Sequence, residues 1–239
     1  MLVLDLSDNR LSNLQDNIFE EMKELQKLFL QNNSLAQISP PVLSGLNNLL
    51  LLNMSFNHLA SHTINEDTFR NQVKLVALDL SHNMIQEIGS DLFTTMNQMQ
   101  ILNLQHNRLS EIRSEHFSHL PNLHVLMLSF NQIQTLHPKA LVNLQSLDSL
   151  SLNHNNLPEV PDQLFQDCPN LQDLTLHHNL LTSVPKSLSK LSNLQTLDLG
   201  ENQIGNLTTE SLPESLYGLR LAGNNLQKIP LNIFTNENL

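Results

Sequence analysis

A nine-residue string that combines three leucines with a final asparagine, LxxLxLxxN, recurs ten times along this chain of 239 residues. Methionine replaces one of the leucines in three of the strings, and leucine alone supplies 53 residues of the chain. The asparagines are Asn9, Asn33, Asn57, Asn83, Asn107, Asn131, Asn155, Asn179, Asn202 and Asn224, and six of their nine intervals are 24 residues. A fixed period of roughly 20 to 50 residues is the signature of a solenoid of stacked units.

The apolar spacing within one unit predicts a short strand, a turn and an irregular return. Counted from Met1 as position 1, Leu4 and Leu6 lie two residues apart, so both point to one buried side of a strand. Positions 3, 5 and 7 then face the open side. Successive strands stack in parallel about 4.8 Å apart while the outer side spreads further, so the stack curves. We therefore predict an α/β repeat solenoid, a horseshoe of ten units with a parallel β-sheet on its concave face.

Two further columns of side chains are expected along this stack. The asparagine at position 9 both donates and accepts, so it can satisfy backbone groups of adjoining turns, and we expect an interior asparagine to serve the units on both sides. Phenylalanine recurs at position 19 and is expected to form a stacked spine in the convex layer. These phenylalanines are Phe19, Phe69, Phe93, Phe117, Phe165 and Phe234.

The repeat pattern covers residues 1–239 with no linker, which predicts a single solenoid domain. Met1 falls at position 1 of a unit and the chain ends near the start of an eleventh, so we expect uncapped ends and an interior fragment of a longer chain. No run of about 18 apolar residues occurs, and no basic segment with a cleavage site follows Met1. We therefore expect neither a transmembrane helix nor a signal peptide within these residues.

The net charge of −11 disfavours nucleic acid or an anionic membrane surface as a partner. At the repeat positions that face the concave side, the lysines and arginines are Lys27 and Arg220 alone. No glycine-rich phosphate loop and no repeated pairing of nucleophile and base is present, so we predict a non-enzymatic chain without a cofactor or small-molecule substrate. The single cysteine, Cys168, excludes an internal disulfide and is expected to be a buried, unreactive thiol.

A 24-residue unit with phenylalanine at position 19 resembles the leucine-rich repeats of extracellular receptors and matrix proteins. The runs FQDCPNLQDLTLHHNLL, VPKSLSKLSNLQTLDLGENQI and LYGLRLAGNNL resemble the ectodomains of the long insect Toll receptors, the 18-wheeler and Tollo group. The general pattern covers the whole chain, and this more specific resemblance covers residues 140–230. The cysteine-rich caps, membrane helix and cytoplasmic TIR domain of that family are absent from the sequence.

The resemblance implies an extracellular, glycosylated segment of a receptor that acts in development, cell recognition or innate immunity. Its partner would be a protein ligand or another receptor ectodomain, and it would meet the membrane only through a segment absent here. Two alternatives stay open. One is an adhesion or matrix protein without a signalling domain, and the other is a cytosolic scaffold if Met1 is the true start.

The candidate binding residues cluster around the sixth repeat. Val125, Met127 and Phe130 share one strand and its turn, and Phe56 occupies the same position 8 as Phe130. Apolar anchors among polar residues are typical of protein-binding hot spots. The alternative interpretation is that each position-8 aromatic covers a neighbouring turn and is half buried.

Histidines occupy position 8 in four units as two pairs that flank Phe130: His82 with His106, and His154 with His178. They are interpreted as part of the binding face, as ordinary turn residues, or as a proton-sensitive surface. Two imidazoles without a thiolate or a well-placed carboxylate make an incomplete metal site, so no metal is predicted.

Three N-x-S/T triplets are candidate glycosylation sites: Asn32, Asn53 and Asn206. Asn206 follows the ninth strand in a turn and is the best placed of the three. A sugar on Asn53 would stand on the concave face and limit access to it.

Overall fold

The computed structural model describes residues 1–208, 211–231 and 233 of the chain. Ten three-residue strands form one parallel sheet in chain order, as the repeat predicts. The strands are Val3–Asp5, Lys27–Phe29, Leu51–Asn53, Ala77–Asp79, Ile101–Asn103, Val125–Met127, Ser149–Ser151, Asp173–Thr175, Thr196–Asp198 and Gly218–Arg220. The register is constant, so that each central leucine lies beside its equivalent, as Leu28 lies beside Leu4 and Leu52. Every residue at positions 3 and 5 is thereby placed on one continuous open face.

The core is a column of leucines between the sheet and the return segments. The central leucines from Leu28 to Leu197 are buried, because each packs against both neighbouring repeats. Leu4 and Leu6 near one end and Leu219 and Leu221 near the other are only partly buried. Burial therefore depends on having a unit on each side, which is the expected behaviour of a stack whose units stabilise their neighbours.

The column of position-9 asparagines, called the asparagine ladder below, is present, but the direction of its hydrogen bonds differs from the prediction. Asn131 Nδ2 donates to Leu128 O in its own repeat and to Leu104 O in the preceding one, both at 3.0 Å. Its Oδ1 accepts from Leu109 N of that preceding repeat, also at 3.0 Å. Each ladder asparagine thus reaches back to one neighbour, and the expectation that it serves both sides is wrong. Asn9 has no repeat before it and bonds only to the carbonyls of Leu6 and Ser7.

The return segments are mostly irregular, with short ordered pieces that the repeat pattern does not reveal. Three of these pieces are 3₁₀ turns, at Pro40–Val42, Ser61–Thr63 and Lys186–Lys190. The two extra residues of the third unit are accommodated by a helix at Glu66–Phe69, whose first turn is capped by Asn65. Two-residue strands at Glu111–Ile112 and Thr135–Leu136 pair in parallel and form a second, small sheet.

The convex phenylalanines are buried as expected, but they do not form an uninterrupted stack. Phe93 and Phe117 are in ring contact, with centroids 6.3 Å apart. Leu43 separates Phe19 from the next phenylalanine, and Leu141 separates Phe117 from Phe165. The spine is therefore a mixed column of phenylalanine and leucine. Phe234, its expected last member, lies outside the described residues.

Candidate functional site

The turn residue at position 8 adopts a left-handed backbone conformation in all ten repeats, with φ between 49° and 69°. Only the tenth repeat uses glycine there, Gly223. A left-handed conformation costs roughly 1–2 kcal/mol for a residue with a Cβ atom. The same turn nevertheless carries large rings in six consecutive repeats. We infer that contacts between these side chains offset part of the free-energy cost of the left-handed backbone.

These six rings form one continuous column along the edge of the sheet. Its members, called the ring column below, are Phe56, His82, His106, Phe130, His154 and His178. Successive ring centroids lie 3.8, 4.0, 4.2, 4.2 and 4.4 Å apart, and successive planes are tilted by 7° to 26°. The two predicted histidine pairs do flank Phe130, and the phenyl rings join the imidazoles in a single stack.

The ring column is half buried rather than fully exposed. Phe56 is 51% exposed and Phe130 is 40% exposed, so the stacked faces of these rings are covered while their edges meet solvent. This supports the packing interpretation for the faces of the rings and leaves their edges available for a partner. Stacked aromatic pairs contribute about 0.5–1.5 kcal/mol each beyond their burial.

Burial in the column lowers the pKa of two of its imidazoles. Desolvation is the largest cause of a lowered pKa at His106, followed by repulsion from His82 and His154. Desolvation likewise lowers the pKa of His154, with further contributions from His178 and His177. At neutral pH these two rings are therefore held in the uncharged form, which is the form that stacks without charge repulsion.

An apolar patch lies on the concave sheet beside the ring column. It surrounds an open depression of about 230 Å³ whose lining also includes Asp79 and Asn103. The apolar patch consists of Phe29, Leu51, Ala77, Ile101, Val125 and Met127. Ile101, at its centre, is 40% exposed. A contiguous group of apolar side chains on an open sheet, unlike a single one, marks a candidate interaction surface.

Only part of this patch was predicted from the sequence. The predicted residues Val125 and Met127 lie on one strand of the patch. Leu51, Ala77 and Ile101 were not predicted. These residues occupy position 3 in the three successive units before that of Val125. A comparison of position 3 across the repeats therefore reveals the patch.

The remaining concave surface, toward the C-terminal repeats, is polar. Ser151 and Thr175 hydroxyls are 3.1 Å apart, and Asp198 lies 3.6 Å from the guanidinium of Arg220. The open face is therefore divided into an apolar region over repeats two to six and a polar region over repeats seven to ten.

The candidate glycosylation sites differ in accessibility. Asn206 is exposed, whereas Asn53 is half-exposed on the concave sheet and its Oδ1 accepts hydrogen bonds from the backbone and hydroxyl of Ser55. Asn32 is exposed, but its Nδ2 donates to Asp8 Oδ1 at 2.6 Å. Of the three amides, that of Asn206 is best placed to accept a sugar.

Cys168 is buried, and burial raises the pKa of its thiol to about 12. Its Sγ lies 3.8 Å from Leu141 O, so the side chain behaves as the small apolar residue that the sequence predicts.

At the C-terminal end of the ring column, one ring nitrogen from each of three histidines lies within 4.8 Å of the other two. These histidines are His154, His177 and His178. No helix in the described part of the chain is long and apolar enough to span a membrane.

A parallel sheet with one strand per repeat and an asparagine ladder behind it defines a solenoid repeat protein with an open recognition face. The sequence profile of the leucine rich repeat matches residues 2–59, 61–109, 97–157 and 146–204, and a second such profile matches residues 193–219. The chain belongs to the leucine-rich repeat family. No catalytic family is indicated by these matches.

Several solved structures are similar over nearly the whole chain. Toll in the Toll–Spatzle complex, described as a hub in Drosophila development and innate immunity, is 25% identical with a TM-score of 0.85 and matches 95% of this chain. TLR13 in its complex with ssRNA13 is 27% identical with a TM-score of 0.79 and matches 93%. The leucine-rich repeat protein LIC12759 of Leptospira interrogans is 29% identical, with a TM-score of 0.77 and a match to 97% of this chain and 63% of its own.

The match covers 32% of the Toll chain and 36% of the TLR13 chain, so this chain spans about a third of either receptor structure. No curated protein matches the chain significantly. The similar structures include one complex with a protein and one with RNA, and the fold alone does not decide between these two classes of partner.

Proposed function

We propose that this chain is a ligand-recognition segment of a Toll-like receptor ectodomain on the extracellular side of the plasma membrane, and that it binds a protein. The likeness to Toll and TLR13 supports the receptor role. The C-terminal runs of sequence that resemble the long insect Toll receptors favour that group. The observation that carries the binding role is the apolar patch, which lies open in the middle of the concave sheet.

The chemistry of the concave face favours a protein over a nucleic acid. A nucleic-acid site neutralises phosphates with lysine and arginine. Here the net charge is −11, and the concave columns offer only Lys27 and Arg220. Arg220 is already within ion-pair distance of Asp198. A nucleic-acid backbone would therefore meet net repulsion along most of this surface.

The patch also indicates what the partner surface carries. Its apolar residues would take an apolar anchor, such as a leucine or an aromatic side chain. Asp79 lines the same depression, where its carboxylate accepts hydrogen bonds from Ser81 N at 2.9 Å and from Asn103 Nδ2 at 3.2 Å. A lysine or arginine beside the anchor would complement this carboxylate. The proposed partner surface is thus a hydrophobic side chain with a basic neighbour.

The receptor role is tested by extending the messenger RNA sequence in both directions from this segment. The proposal expects a signal peptide upstream, and a hydrophobic segment of about 20 residues and a TIR domain downstream. The second candidate is an adhesion or matrix protein, since the similarity to LIC12759 shows that this fold also occurs outside the Toll receptors. A stop codon or a C-terminal anchor signal after further repeats would overturn the receptor proposal in favour of that candidate.

An extracellular location would expose the accessible triplets of this chain to glycosylation. Secreted from insect cells, the chain is expected to carry a glycan at Asn206 and none at Asn53. The mass of the intact protein should fall to that of the polypeptide after the substitution Asn206→Gln. Retention of the same glycan mass in the Asn206→Gln variant would contradict this assignment.

A further inference from the structure

Three histidines converge at the C-terminal end of the ring column. His154 and His178 occupy position 8 of the seventh and eighth repeats, and His177 occupies position 7 beside the last. One nitrogen from each ring lies within 4.8 Å of the other two. Within the described part of the chain, no other set of three or more histidine, cysteine, aspartate or glutamate side chains converges in this way.

The three rings are not all parallel. His154 and His178 are stacked, with centroids 4.4 Å apart, whereas the ring of His177 is inclined by 66° to His154 and by 40° to His178. Lone pairs of imidazole lie in the ring plane, so parallel rings alone cannot direct their nitrogens to one point. An ion shared by all three rings therefore requires His154 and His178 to rotate out of their stack, toward the inclined ring of His177.

The neighbouring repeat holds His177 in place. Asp198 Oδ1 lies 3.7 Å from His177 Nδ1. A carboxylate at Nδ1 favours the tautomer with its proton there, which leaves the lone pair on Nε2. Gly200 contributes by its lack of a side chain, since a Cβ atom there would lie 2.8 Å from His177 Nδ1. The ninth repeat thus provides both the space for this ring and the carboxylate that orients it.

We propose that His154, His177 and His178 bind a transition-metal ion of the borderline class, with Zn²⁺ as the reference ion. Three neutral imidazoles and an outer carboxylate are a ligand set typical of zinc. Zn–N bonds of about 2.0–2.1 Å place tetrahedral ligand nitrogens roughly 3.4 Å apart, so the rings must move by about an ångström from their present spacing. Their partial exposure leaves them free to make that rotation.

The other end of the ring column provides an internal control. His82 and His106 are stacked at 4.0 Å, nearly as His154 and His178 are. Their position-7 neighbours are Ser81 and Gln105, so no third imidazole completes the set. The prediction that the chain has no metal site considered the position-8 pairs alone. The first pair lacks a third imidazole, and His177 makes the second pair different.

The proposal is tested by titrating Zn²⁺ into chain that has been freed of metal with EDTA, with calorimetry as the readout. The wild type is expected to bind one ion. His177→Ala and His178→Ala are expected to abolish this binding, and Asp198→Asn is expected to weaken it about 10- to 100-fold by removing the outer carboxylate. His82→Ala and His106→Ala serve as matched controls and are expected to bind Zn²⁺ as the wild type does.

Two further readouts separate loss of the site from loss of the fold. Zn²⁺ should raise the thermal midpoint of the wild type and not that of His177→Ala, because an ion that binds only the native state stabilises it. Circular dichroism of the metal-free variants should match that of the wild type. Co²⁺ in place of Zn²⁺ should show the strong visible absorption of four-coordinate cobalt.

The proposal is overturned if the wild type fails to bind Zn²⁺ stoichiometrically. It is equally overturned if all four histidine variants lose the same fraction of binding, because that result describes scattered surface imidazoles. No protein ligand takes part in these measurements, so their outcome does not depend on the receptor role proposed above.

Discussion

Phe130 stacks on His106 with ring centroids 4.2 Å apart and planes 7° from parallel, while its own backbone adopts a φ of 55°. A favourable side-chain contact thus coincides with an unfavourable backbone conformation. The pairing explains why bulky rings persist at a turn position that would otherwise favour glycine or asparagine. Stacking in the ring column thus offsets part of the strain of the left-handed turn.

Because the backbone of Phe130 is left-handed, glycine is expected to be less destabilising than alanine at this position, the reverse of the order in a strand. Both Phe130→Ala and Phe130→Gly remove two ring contacts, at about 0.5–1.5 kcal/mol each. Phe130→Gly should nevertheless be more stable than Phe130→Ala by about 1 kcal/mol, because only alanine retains a strained Cβ atom. Urea unfolding of the two variants measures the difference.

The control for this comparison is Ser149, which lies in an extended strand on the same sheet. There the usual order should return, with Ser149→Ala more stable than Ser149→Gly by about 0.5–1 kcal/mol. If alanine is the more stable substitution at both sites, the left-handed turn does not contribute as described.

The direction of the asparagine ladder predicts a difference between Asn131 and Asn9. Asn131→Ala leaves the buried N–H of Leu109 without its partner, at a cost of about 1–3 kcal/mol. Asn9→Ala removes bonds only within its own exposed turn, so the free energy of unfolding should change by less than about 1 kcal/mol. Chemical denaturation of both variants provides the test, and equal losses of stability would show that the bridge to the preceding repeat does not matter.

Much of the fold could be predicted because it depends on spacing alone. Leu4 and Leu6 determine which side of a strand is buried, and a repeat of about 24 residues then stacks equivalent residues in columns. The single ring column was harder to foresee, since its direction depends on the left-handed φ of the turn. Nothing in the leucine pattern specifies that angle.

The site was predicted less completely than the fold. The apolar position-3 residues Leu51, Ala77 and Ile101 were readable in the sequence, but the predicted hot spot was built on the aromatic residues at position 8 and did not include them. The role of His177 was not readable, because it depends on the space left by Gly200 and on the approach of Asp198 from the next repeat. Both depend on tertiary structure, which the spacing of residues in the sequence does not specify.

Protonation is expected to destabilise the fold through buried or stacked imidazoles. Desolvation is the main cause of the lowered pKa at His106, His116 and His154. A folded-state pKa below the unfolded value means that the unfolded chain takes up these protons first as the pH falls. Stability is therefore fully present above a pH of about 6.5 and declines as the pH falls through the lowered folded pKa values.

Urea midpoints measured in EDTA at intervals between about pH 7.5 and pH 5 should show this decline. His106→Asn, which tolerates a left-handed turn, should reduce the slope because one of the three groups is removed. A midpoint that stays level or rises as the pH falls through this range would contradict the direction of the three pKa shifts.

The thiol of Cys168 is expected to react only when the chain unfolds. The thiolate is the reactive form, and a pKa of about 12 together with burial leaves almost none of it accessible near neutral pH. Labelling with Ellman's reagent should be negligible in native buffer and complete in concentrated denaturant. Fast, stoichiometric labelling of the native chain would show that the return segment around Cys168 opens freely.

Binding of a protein to the concave face tests the central claim most directly. The chain would be immobilised and screened against a panel of purified extracellular proteins, and the tightest binder would be measured with variants by interferometry. Met127→Ala, Ile101→Ala and Phe130→Ala should each weaken binding by more than about 1 kcal/mol, whereas Lys186→Ala on the return segment should not. Circular dichroism confirms that each variant is folded. The opposite pattern, with unchanged binding in the folded patch variants and a loss in Lys186→Ala, would place the recognition surface on the return side and contradict the account.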